Sequence, residues 1–416
     1  MRKDPLRLRW WWIGGIAALA GAWSCQRPAE EVRPFRPRAQ KDYARPLPPG
    51  QLALRKIGPE SYPDFSRGFD NRAGLEQAIR NSLNYLSKPS SQKYFPYGEI
   101  THARAVASLN RFLELLATAR SGKELDDAIR REFDVYQSVG CDDRGTVFFT
   151  GYYCPIFEGR KQRDGRFCHP LYKLPPDLVK DEEGRTLGRR TPEGRLVPYS
   201  TRRQIMEQHL LDGWEIAWLK SPFEAYVVTV QGSAKLRLPD GSLYELGYAG
   251  NNGHDYTPVG ELLIADGVIG RNDLSLQTLL RYFERNPQQV PRYCWRNDRF
   301  VFFQERPGGP YGSLNEPVIP FRSIATDKEV FPRACLAFIN TRLPRVYDGR
   351  IEVLPFSSFA LDQDTGGAIR AAGRCDVYMG IGPAAEAVAG RTGAEGTLYY
   401  IFLRELPAAG EARNQG

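Results

Sequence analysis

The stretch DTGGAIRAAGRCDVYMGIGP, residues 364–383, is the most informative part of this sequence of 416 residues. Asp364 stands before a Gly-Gly pair, and Asp376 stands in a short apolar run that predicts a strand. A carboxylate among apolar neighbours is partly desolvated, which favours the protonated form that a general acid needs near neutral pH. Gly366 and Gly367 allow a backbone to approach a ligand closely. On spacing alone, a surface turn with solvated aspartates remains an alternative.

Asp364-Thr365-Gly366 is also the tripeptide of aspartic proteases. Those enzymes need two aspartates that share a proton, and single-chain forms usually carry the tripeptide twice. This sequence has it once, after the polar Gln363, and has no second Asp-Thr-Gly or Asp-Ser-Gly. An aspartic protease is therefore a poor fit.

Three further segments have the Gly, Asn and aromatic content of a binding surface. Tyrosine rings and hydroxyls suit stacking and hydrogen bonding to sugars, although an aromatic corner of the core is the ordinary alternative. His254, a lone histidine, is more often structural than catalytic. The segments are FFTGYYCPIFEG (148–159), QGSAKLRLPDG (231–241), which predicts a hairpin, and GYAGNNGHDYTPVGELLI (247–264).

Apolar spacing divides the chain into a helical part and a β part. Residues 70–137 carry three apolar stripes at helical spacing. From about Thr146 onward, short β runs are broken by Gly, Pro and Asp-Gly, and one helix with Asn272 or Asp273 as its N-cap interrupts them. The predicted strands include Thr146–Thr150, Ala225–Val230, Lys235–Leu238, Phe300–Phe303, Leu336–Ile339 and Leu398–Leu403.

The N-terminal residues are typical of an exported protein. A positively charged start is followed by the apolar residues 10–22, which are too few to span a bilayer comfortably. Cys25 follows a small residue at the end of this run, as in a bacterial lipoprotein processing site. Residues 1–25 are therefore predicted to be a signal peptide with Cys25 as the lipidated residue; an uncleaved anchor or an ordinary signal peptide is the alternative.

The segments before and after the predicted folded part have compositions that cannot form a hydrophobic core. Residues 26–60 are rich in Pro and Arg without an apolar period and predict a tether, and residues 406–416 predict a disordered tail. The net charge of +8 would suit a nucleic acid, an anionic lipid surface or an acidic cell-wall polymer. Much of the basic density lies in residues 1–60, so charge does not identify a partner of the folded part.

The spacing of the cysteines and histidines does not predict a metal site. Six cysteines besides Cys25 could form disulfides in an oxidising compartment, in several connectivities that the sequence does not distinguish. The chain has no CxxC pair, and its four histidines show no HxxxH spacing. Buried or paired structural cysteines are the expectation.

Taken together, these motifs resemble the membrane-bound lytic transglycosylase A family, and the resemblance covers residues 70–405. The family's insert domain is matched by FTGYY (149–153), QGSA (231–234), YAGNNGHDYTPVG (248–260) and FVFF (300–303). Its C-terminal 3D domain, named for three aspartates, is matched by ATD (325–327), DTGGAI (364–369) and CDVYMGIGP (375–383).

The resemblance implies a mainly β fold with two domains and a substrate groove between them. One is a double-ψ β-barrel with N-terminal helices, and the other is a smaller β-barrel inserted into it. The implied divisions are residues 61–149 for the N-terminal part of the barrel domain, 150–299 for the inserted domain, and 300–405 for the C-terminal part with the 3D domain.

The resemblance also implies a function. Members cleave the β-1,4 bond between N-acetylmuramic acid and N-acetylglucosamine in peptidoglycan and leave 1,6-anhydromuramic acid ends, without a cofactor. The implied catalytic residue is Asp376, with support from Asp364, Asp327 and Thr150. The implied groove residues are Tyr152, Tyr153, Gln231, Gly366, Gly367 and Tyr378.

Expected partners are glycan strands and, through the lipid anchor, a membrane facing the periplasm; no nucleic acid is expected. Gln26 after the cysteine favours the outer membrane by analogy with enterobacterial sorting. The chain departs from the family pattern at Pro332-Arg333-Ala334, where Pro-Leu-Gly is usual, and at Cys154, where glutamate is common. A non-catalytic peptidoglycan-binding or germination module and a hydrolytic muramidase remain alternatives.

Overall fold

The computed structural model describes residues 41–182, 184–348 and 350–404. The predicted signal peptide, Cys25, the first part of the tether and the tail lie outside the described residues. The strands are β1 (Leu54–Lys56), β2 (Phe133–Ser138), β3 (Val147–Cys154), β4 (Ile156–Arg160), β5 (His169–Tyr172), β6 (Leu178–Lys180), β7 (Thr186–Arg190), β8 (Leu196–Val197), β9 (Glu215–Leu219), β10 (Ala234–Arg237), β11 (Leu243–Asn251), β12 (Val301–Glu305), β13 (Ser323–Ala325), β14 (Leu336–Tyr347), β15 (Arg350–Asp364), β16 (Arg374–Ile381) and β17 (Gly393–Leu403). The α-helices are α1 (Leu75–Leu86), α2 (His102–Thr118), α3 (Gly122–Glu132), α4 (Arg202–Glu207), α5 (Pro222–Gln231), α6 (Val259–Ala265), α7 (Leu276–Arg285), α8 (Val290–Cys294) and α9 (Gly382–Ala389).

Six strands close into a barrel, in the order β3, β17, β14, β15, β13 and β16, with β16 pairing back to β3. The pairs β13–β15 and β16–β3 are parallel, and the other four pairs are antiparallel. Strand β2 pairs with β17 outside this ring, and β1 pairs with β2. Closure leaves the ring itself without a free sheet edge. The expectation of a mainly β fold built on a barrel is confirmed.

Alternate residues of the barrel strands pack on opposite sides, as the two-residue period of a strand requires. On β14, Ala337 and Ile339 join a buried cluster with Phe149 and Val377 of neighbouring strands. Phe338, between them, belongs instead to the cluster formed with helices α1, α2 and α3. The three apolar stripes predicted between residues 70 and 137 are these helices, which cover the outer face of the barrel.

A second sheet is built from residues between barrel strands β3 and β13. Its order is β12, β11, β10, β4, β9 and β5, and β6, β7 and β8 form a small separate sheet. The predicted hairpin is confirmed, since β10 and β11 pair antiparallel around Asp240 and Gly241. The small helices α5 to α8 share an apolar cluster beside this sheet.

The predicted strand Ala225–Val230 is wrong, because these residues lie in α5. Ser221 caps the helix by accepting from the backbone N–H groups of Phe223 and Glu224, and Pro222 opens its first turn. All residues from Ala225 to Thr229 are buried, so the apolar run has no helical period to distinguish it from a strand. The N-cap of α7 also differs from the prediction: it is Ser275, whose side chain accepts from Thr278 N–H.

The expectation that residues 26–60 form an unpacked tether does not hold for residues 41–60. Strand β1 extends the sheet, and Ala53 and Leu54 are buried in the barrel cluster. The backbone also bonds on either side of the strand, from Val139 N–H to the Ala53 carbonyl and from Ile57 N–H to the Val135 carbonyl. The segment has few apolar residues, and two of them, Ala53 and Leu54, lie in the core, whereas Leu52 is 43% exposed.

A chain that begins at residue 61 should therefore be less stable than one that begins at residue 41. We expect the free energy of unfolding to fall by about 3 kcal/mol, since burial of a leucine alone contributes roughly 1.5–3 kcal/mol and the strand pairing adds to it. Urea denaturation of the two purified chains measures the difference. Equal unfolding free energies would restore the tether interpretation for residues 41–60.

Candidate active site

Four barrel strands place predicted site residues side by side. Thr150 on β3 is in register with Asp376 on β16, across a parallel pair. Asp376 is opposite Ala325 on β13, and Ala325 is opposite Asp364 on β15. We call Thr150, Asp376, Ala325 and Asp364 the cross-strand row.

A β-bulge brings Asp364 into this row. Ile324 is paired with Asp362, whereas the next residue of β13, Ala325, is paired with Asp364, so that Gln363 has no partner of its own in the ladder. An extra residue of this kind re-aims the side chains that follow it. Without the bulge, Gln363 and not Asp364 would stand opposite Ala325.

The carboxylate of Asp376 is held on one oxygen only. The Thr150 hydroxyl donates to Oδ1, and Nη2 of Arg374 lies 3.5 Å from the same oxygen. Arg374 Nη2 also donates to Thr150 Oγ1 at 3.2 Å. Within the described residues no group donates to Oδ2, and the side chain keeps 17% of its surface exposed. One oxygen is therefore fixed while the other remains available to a ligand.

Both oxygens of Asp364 are occupied. Oδ1 accepts from the backbone N–H groups of Ser313 and Thr365, each at 2.8 Å, and Oδ2 accepts from the Tyr152 hydroxyl at 2.8 Å. Burial raises the pKa of Asp364, although these hydrogen bonds favour its ionised form. Burial and the nearby Asp364 carboxylate raise the pKa of Tyr152 well above its usual value, so the phenol keeps its proton.

Asp327, the third predicted aspartate, lies outside the cross-strand row. Its Oδ1 accepts from the backbone N–H of Glu329 at 3.1 Å, and its Oδ2 accepts from that of Ala371 at 2.7 Å. The side chain thus ties the turn after β13 to the loop that precedes β16. This geometry fits support of the loop that carries the Gly-Gly pair.

Of the predicted groove residues, Tyr152 lies near the cross-strand row on the same face of β3 as Thr150. Tyr153 and Tyr378 are each only 1% exposed, so their assignment to an open groove is corrected. Tyr153 points to the opposite face of β3, where its hydroxyl donates to Glu386 of α9 at 3.2 Å. Tyr378 packs beneath Tyr152, with ring centroids 5.2 Å apart.

The remaining predicted groove residues lie where the second sheet and its helices meet the barrel. Gln231, at the end of α5, accepts from the backbone N–H of Tyr153 at 3.3 Å. A Cβ atom on Gly367 would come within 2.7 Å of Arg299 Nε, so a larger residue here would require the Arg299 side chain to shift. Gly366 is half-buried beside Ile369. His254 is structural, since its ring bonds the Tyr199 carbonyl at 2.7 Å.

Sequence reasoning missed three charged residues at this site. Arg374 stands two residues before Asp376 on β16, so the two-residue period of a strand was the signal for it. Asp362 and Asp364 are separated by the bulge at Gln363, which turns them to opposite faces, and no local pattern marks Asp362. Lys328 pairs with Asp362 beneath the row, with side chains 4% and 0% exposed. Asp362 also accepts from the hydroxyls of Thr326 at 2.7 Å and Tyr400 at 2.6 Å.

Metal and disulfide chemistry find no support in the described residues. In the ranges that the structure describes, no three His, Cys, Asp or Glu side chains come together as metal ligands, and Cys141, Cys154, Cys168, Cys294, Cys335 and Cys375 are unpaired. A cavity of about 730 Å³ lies away from the row, against Lys56, Arg104, Asp134 and Arg404. Its three cations all contact the Asp134 carboxylate, and its lining includes none of the predicted site aspartates, so the row is the better candidate.

Comparison with known proteins identifies the family. The family model for the MltA specific insert domain matches residues 148–304, and the 3D domain model matches residues 322–402. Membrane-bound lytic murein transglycosylase A of Escherichia coli K12 is 30% identical over 297 residues, which cover 70% of this chain and 74% of the relative. The chain belongs to the membrane-bound lytic murein transglycosylase A family.

Other lytic transglycosylase A relatives agree. The Vibrio cholerae protein is 29% identical over 289 residues, covering 68% of this chain and 73% of its own. The crystal structure of the Agrobacterium tumefaciens enzyme has a TM-score of 0.71 at 26% identity, covering 85% of this chain and 98% of that one. Escherichia coli MltA with bound chitohexaose has the same fold, with a TM-score of 0.64 at 24% identity and coverage of 88% and 100%. The prediction of a peptidoglycan lytic transglycosylase is confirmed at the level of the family.

One departure from the lytic transglycosylase A pattern has a structural consequence. Ala334, the last residue of the departure at Pro332-Arg333-Ala334, has a φ of +62°, in the left-handed region that favours glycine. Its backbone N–H donates to the Asp362 carbonyl at 2.8 Å, which holds the strained turn against β15. Cys154, the other departure, is buried, and burial raises the pKa of its thiol to about 11.

Replacement of the buried lysine tests the charge balance beneath the row. Lys328→Met leaves Asp362 buried without its counter-ion, so we expect the free energy of unfolding to fall by about 3–5 kcal/mol. The double variant Lys328→Met with Asp362→Asn removes both charges and should recover more than half of that loss. Urea denaturation measures both, and a loss below about 1 kcal/mol for the single variant would contradict the interpretation.

Proposed function

We propose that Asp376 is the single acid and base with which this lytic transglycosylase cleaves the β-1,4 bond between N-acetylmuramic acid and N-acetylglucosamine. The product is a glycan end with 1,6-anhydromuramic acid. In this proposal Thr150 and Arg374 hold the carboxylate, Asp364 and Asp327 support the surrounding loops and strands, and no cofactor takes part.

The observation that carries the proposal is the contrast between the three aspartates. The oxygens of Asp364 and Asp327 are all engaged by donors of the protein itself. Asp376 alone of the three has an oxygen to which no described residue donates, and it is partly exposed. A general acid must reach the leaving oxygen of the substrate, and of the three only Asp376 can do so without losing an internal hydrogen bond.

The chemistry needs one carboxyl group because the substrate supplies its own nucleophile. Protonated Asp376 gives its proton to the glycosidic oxygen as the bond from that oxygen to C1 of muramic acid breaks. The resulting carboxylate takes the proton from the C6 hydroxyl of the same residue while O6 bonds to C1. Most glycosidases need a second carboxylate. Here the intramolecular attack has a high effective concentration, and it replaces that second group.

Thr150 and Arg374 supply the electrostatic part of the proposed mechanism. After proton donation Asp376 carries a negative charge, which the Thr150 hydroxyl and the Arg374 guanidinium stabilise at Oδ1. Oδ2 then remains free to accept the C6 hydroxyl proton. Asp364 of the row and Tyr152, whose hydroxyl donates to it, would present a polar edge to the developing oxocarbenium ion.

We further propose a double-ψ topology for the barrel and an inserted domain at residues 150–299. The two parallel pairs within an otherwise antiparallel ring support the first, and the second sheet, confined to strands between β3 and β13, supports the second. A groove between the two would contain the cross-strand row. Chitohexaose bound to Escherichia coli MltA supports a glycan ligand for this fold.

We propose that the protein is an exported lipoprotein, anchored through Cys25 to a membrane facing the periplasm, with the outer membrane favoured by Gln26. The charged start, the short apolar run and its terminal cysteine support this. The relatives are named as membrane-bound. Among the described residues, no helix has both the length and the apolar character needed to cross a bilayer.

Asp376→Asn should abolish the release of anhydro-muropeptides and leave the fold intact. The substitution keeps the shape but removes the transferable proton, a contribution of about 10²–10⁴ in rate for general acid catalysis. Because the same group is also the base, we expect a loss at or beyond the upper end. Mass spectrometry of digested peptidoglycan measures the products, which are lighter by one water than those of hydrolysis.

The matched controls are Asp364→Asn and Asp327→Asn. They should lower the rate of anhydro-muropeptide release less, because these carboxylates position the site and do not transfer a proton. Normal turnover by Asp376→Asn with an inactive Asp364→Asn would reverse the assignment. Products heavier by one water would instead identify a hydrolytic muramidase, and absence of products from the unaltered protein would favour a binding module.

Cys25→Ala should prevent lipidation and cleavage before residue 25, so that the variant accumulates as a longer precursor. Globomycin, which blocks lipoprotein signal cleavage, should leave the unaltered chain as a longer precursor. Detergent partitioning and gel mobility measure both effects. A Cys25→Ala protein that stays membrane-bound with unchanged processing would exclude the lipoprotein assignment.

A further inference from the structure

We infer that Tyr43, at the start of the described chain, is a positioning residue for the catalytic group, and this inference rests on the proposed role of Asp376. Tyr43 stacks on Phe148 of β3, with ring centroids 4.7 Å apart and an interplanar angle of 23°. Its hydroxyl donates to Glu395 of β17 at 2.8 Å. Tyr43 thus bridges two strands of the barrel next to the cross-strand row.

Phe148 connects Tyr43 to the arginine that contacts Asp376. Phe148 is in register with Arg374 across the parallel β3–β16 pair, and its N–H donates to the Gly373 carbonyl at 2.8 Å. The Arg374 guanidinium lies 5.6 Å from the centre of the Phe148 ring, within the range of a cation–π contact. The ring therefore has Tyr43 stacked on it and the guanidinium within cation–π distance.

The backbone of Tyr43 also fixes the start of β16. A Cβ atom on Gly373 would come within 2.5 Å of the Tyr43 carbonyl oxygen, so the glycine allows the two backbones to touch. Gly373 immediately precedes Arg374, and Arg374 is two residues from Asp376. A shift of Tyr43 would release both the backbone and the ring that orient Arg374.

Tyr43 acts on Asp376 through Arg374. Its Nη2 lies 3.2 Å from Thr150 Oγ1 and 3.5 Å from Asp376 Oδ1, while within the described residues its buried Nε has no hydrogen-bond partner. A guanidinium with few hydrogen bonds depends on packing for its position, and the Phe148 ring supplies that packing. Tyr43, which lies within the segment predicted to be a tether, therefore forms part of the support of the catalytic site.

The test uses the full chain with single substitutions, assayed on purified peptidoglycan for the initial rate of anhydro-muropeptide release. Tyr43→Ala should lower kcat about tenfold, because small misplacements of catalytic groups are costly, and should change KM less than twofold. Tyr43→Phe keeps the stacked ring and should restore most of kcat. Arg45→Ala alters an exposed ion pair with Asp143 in the same segment and should remain near normal.

A double-variant cycle distinguishes positioning from general destabilisation. In an Arg374→Gln background, Tyr43→Ala should cause little further loss, because both changes act on one unit. Full additivity, or a Tyr43→Ala protein with normal kcat, would overturn the inference. If Tyr43→Ala does not fold, as judged by urea denaturation, Tyr43→Leu replaces it and the same criteria apply.

Asp376→Asn is assayed alongside and separates the two claims. An inactive Asp376→Asn with a fully active Tyr43→Ala refutes only the role of Tyr43. An active Asp376→Asn refutes the proposed catalytic role itself, whatever Tyr43→Ala shows.

Discussion

Lateral pairing between parallel strands β3 and β16 is the constraint on which the site depends. It sets Thr150 beside Asp376 and, two residues earlier on each strand, Phe148 beside Arg374. A slip of one residue would turn every side chain of one strand to its other face, and the hydroxyl would no longer meet the carboxylate. Closure of the barrel prevents such a slip, because β3 is also held by β17 on its other side.

Burial and solvation give the three aspartates of the family motifs different environments. All carboxylate oxygens of Asp364 and Asp327 accept internal hydrogen bonds, and Asp327 ties the turn after β13 to the loop before β16. A further aspartate, Asp362, is neutralised by Lys328 beneath the row, so its charge is compensated within the barrel. Among the three aspartates, only Asp376 has an oxygen to which no group of the described residues donates, and its side chain is partly exposed. The separation of roles therefore follows from which carboxylates the fold has already satisfied.

Local sequence patterns predict most of the helices and strands. The assembled site is predicted only through the resemblance to the transglycosylase family. The three amphipathic helices and the β10–β11 hairpin follow from apolar period and turn residues, which act over a few positions. Helix α5 is predicted as a strand because its buried residues lie on all of its faces, which leaves no helical period in the sequence. Pairing between strands that are distant in sequence determines three further features, which no local pattern encodes. These are the contacts of residues 41–60, the bulge at Gln363 and the position of Arg374.

The hydrogen bond between Thr150 and Asp376 joins residues 226 positions apart, and it has a consequence for when the protein becomes active. Contacts of such long sequence separation form late, because much of the chain must be ordered first. A growing or partly translocated chain contains Thr150 long before it contains Asp376. With Asp376 as the proposed catalytic group, an enzyme that cuts the polymer surrounding its own cell cannot assemble its site until nearly the whole chain is available to fold. The order of the strands along the chain therefore delays assembly of the site during folding.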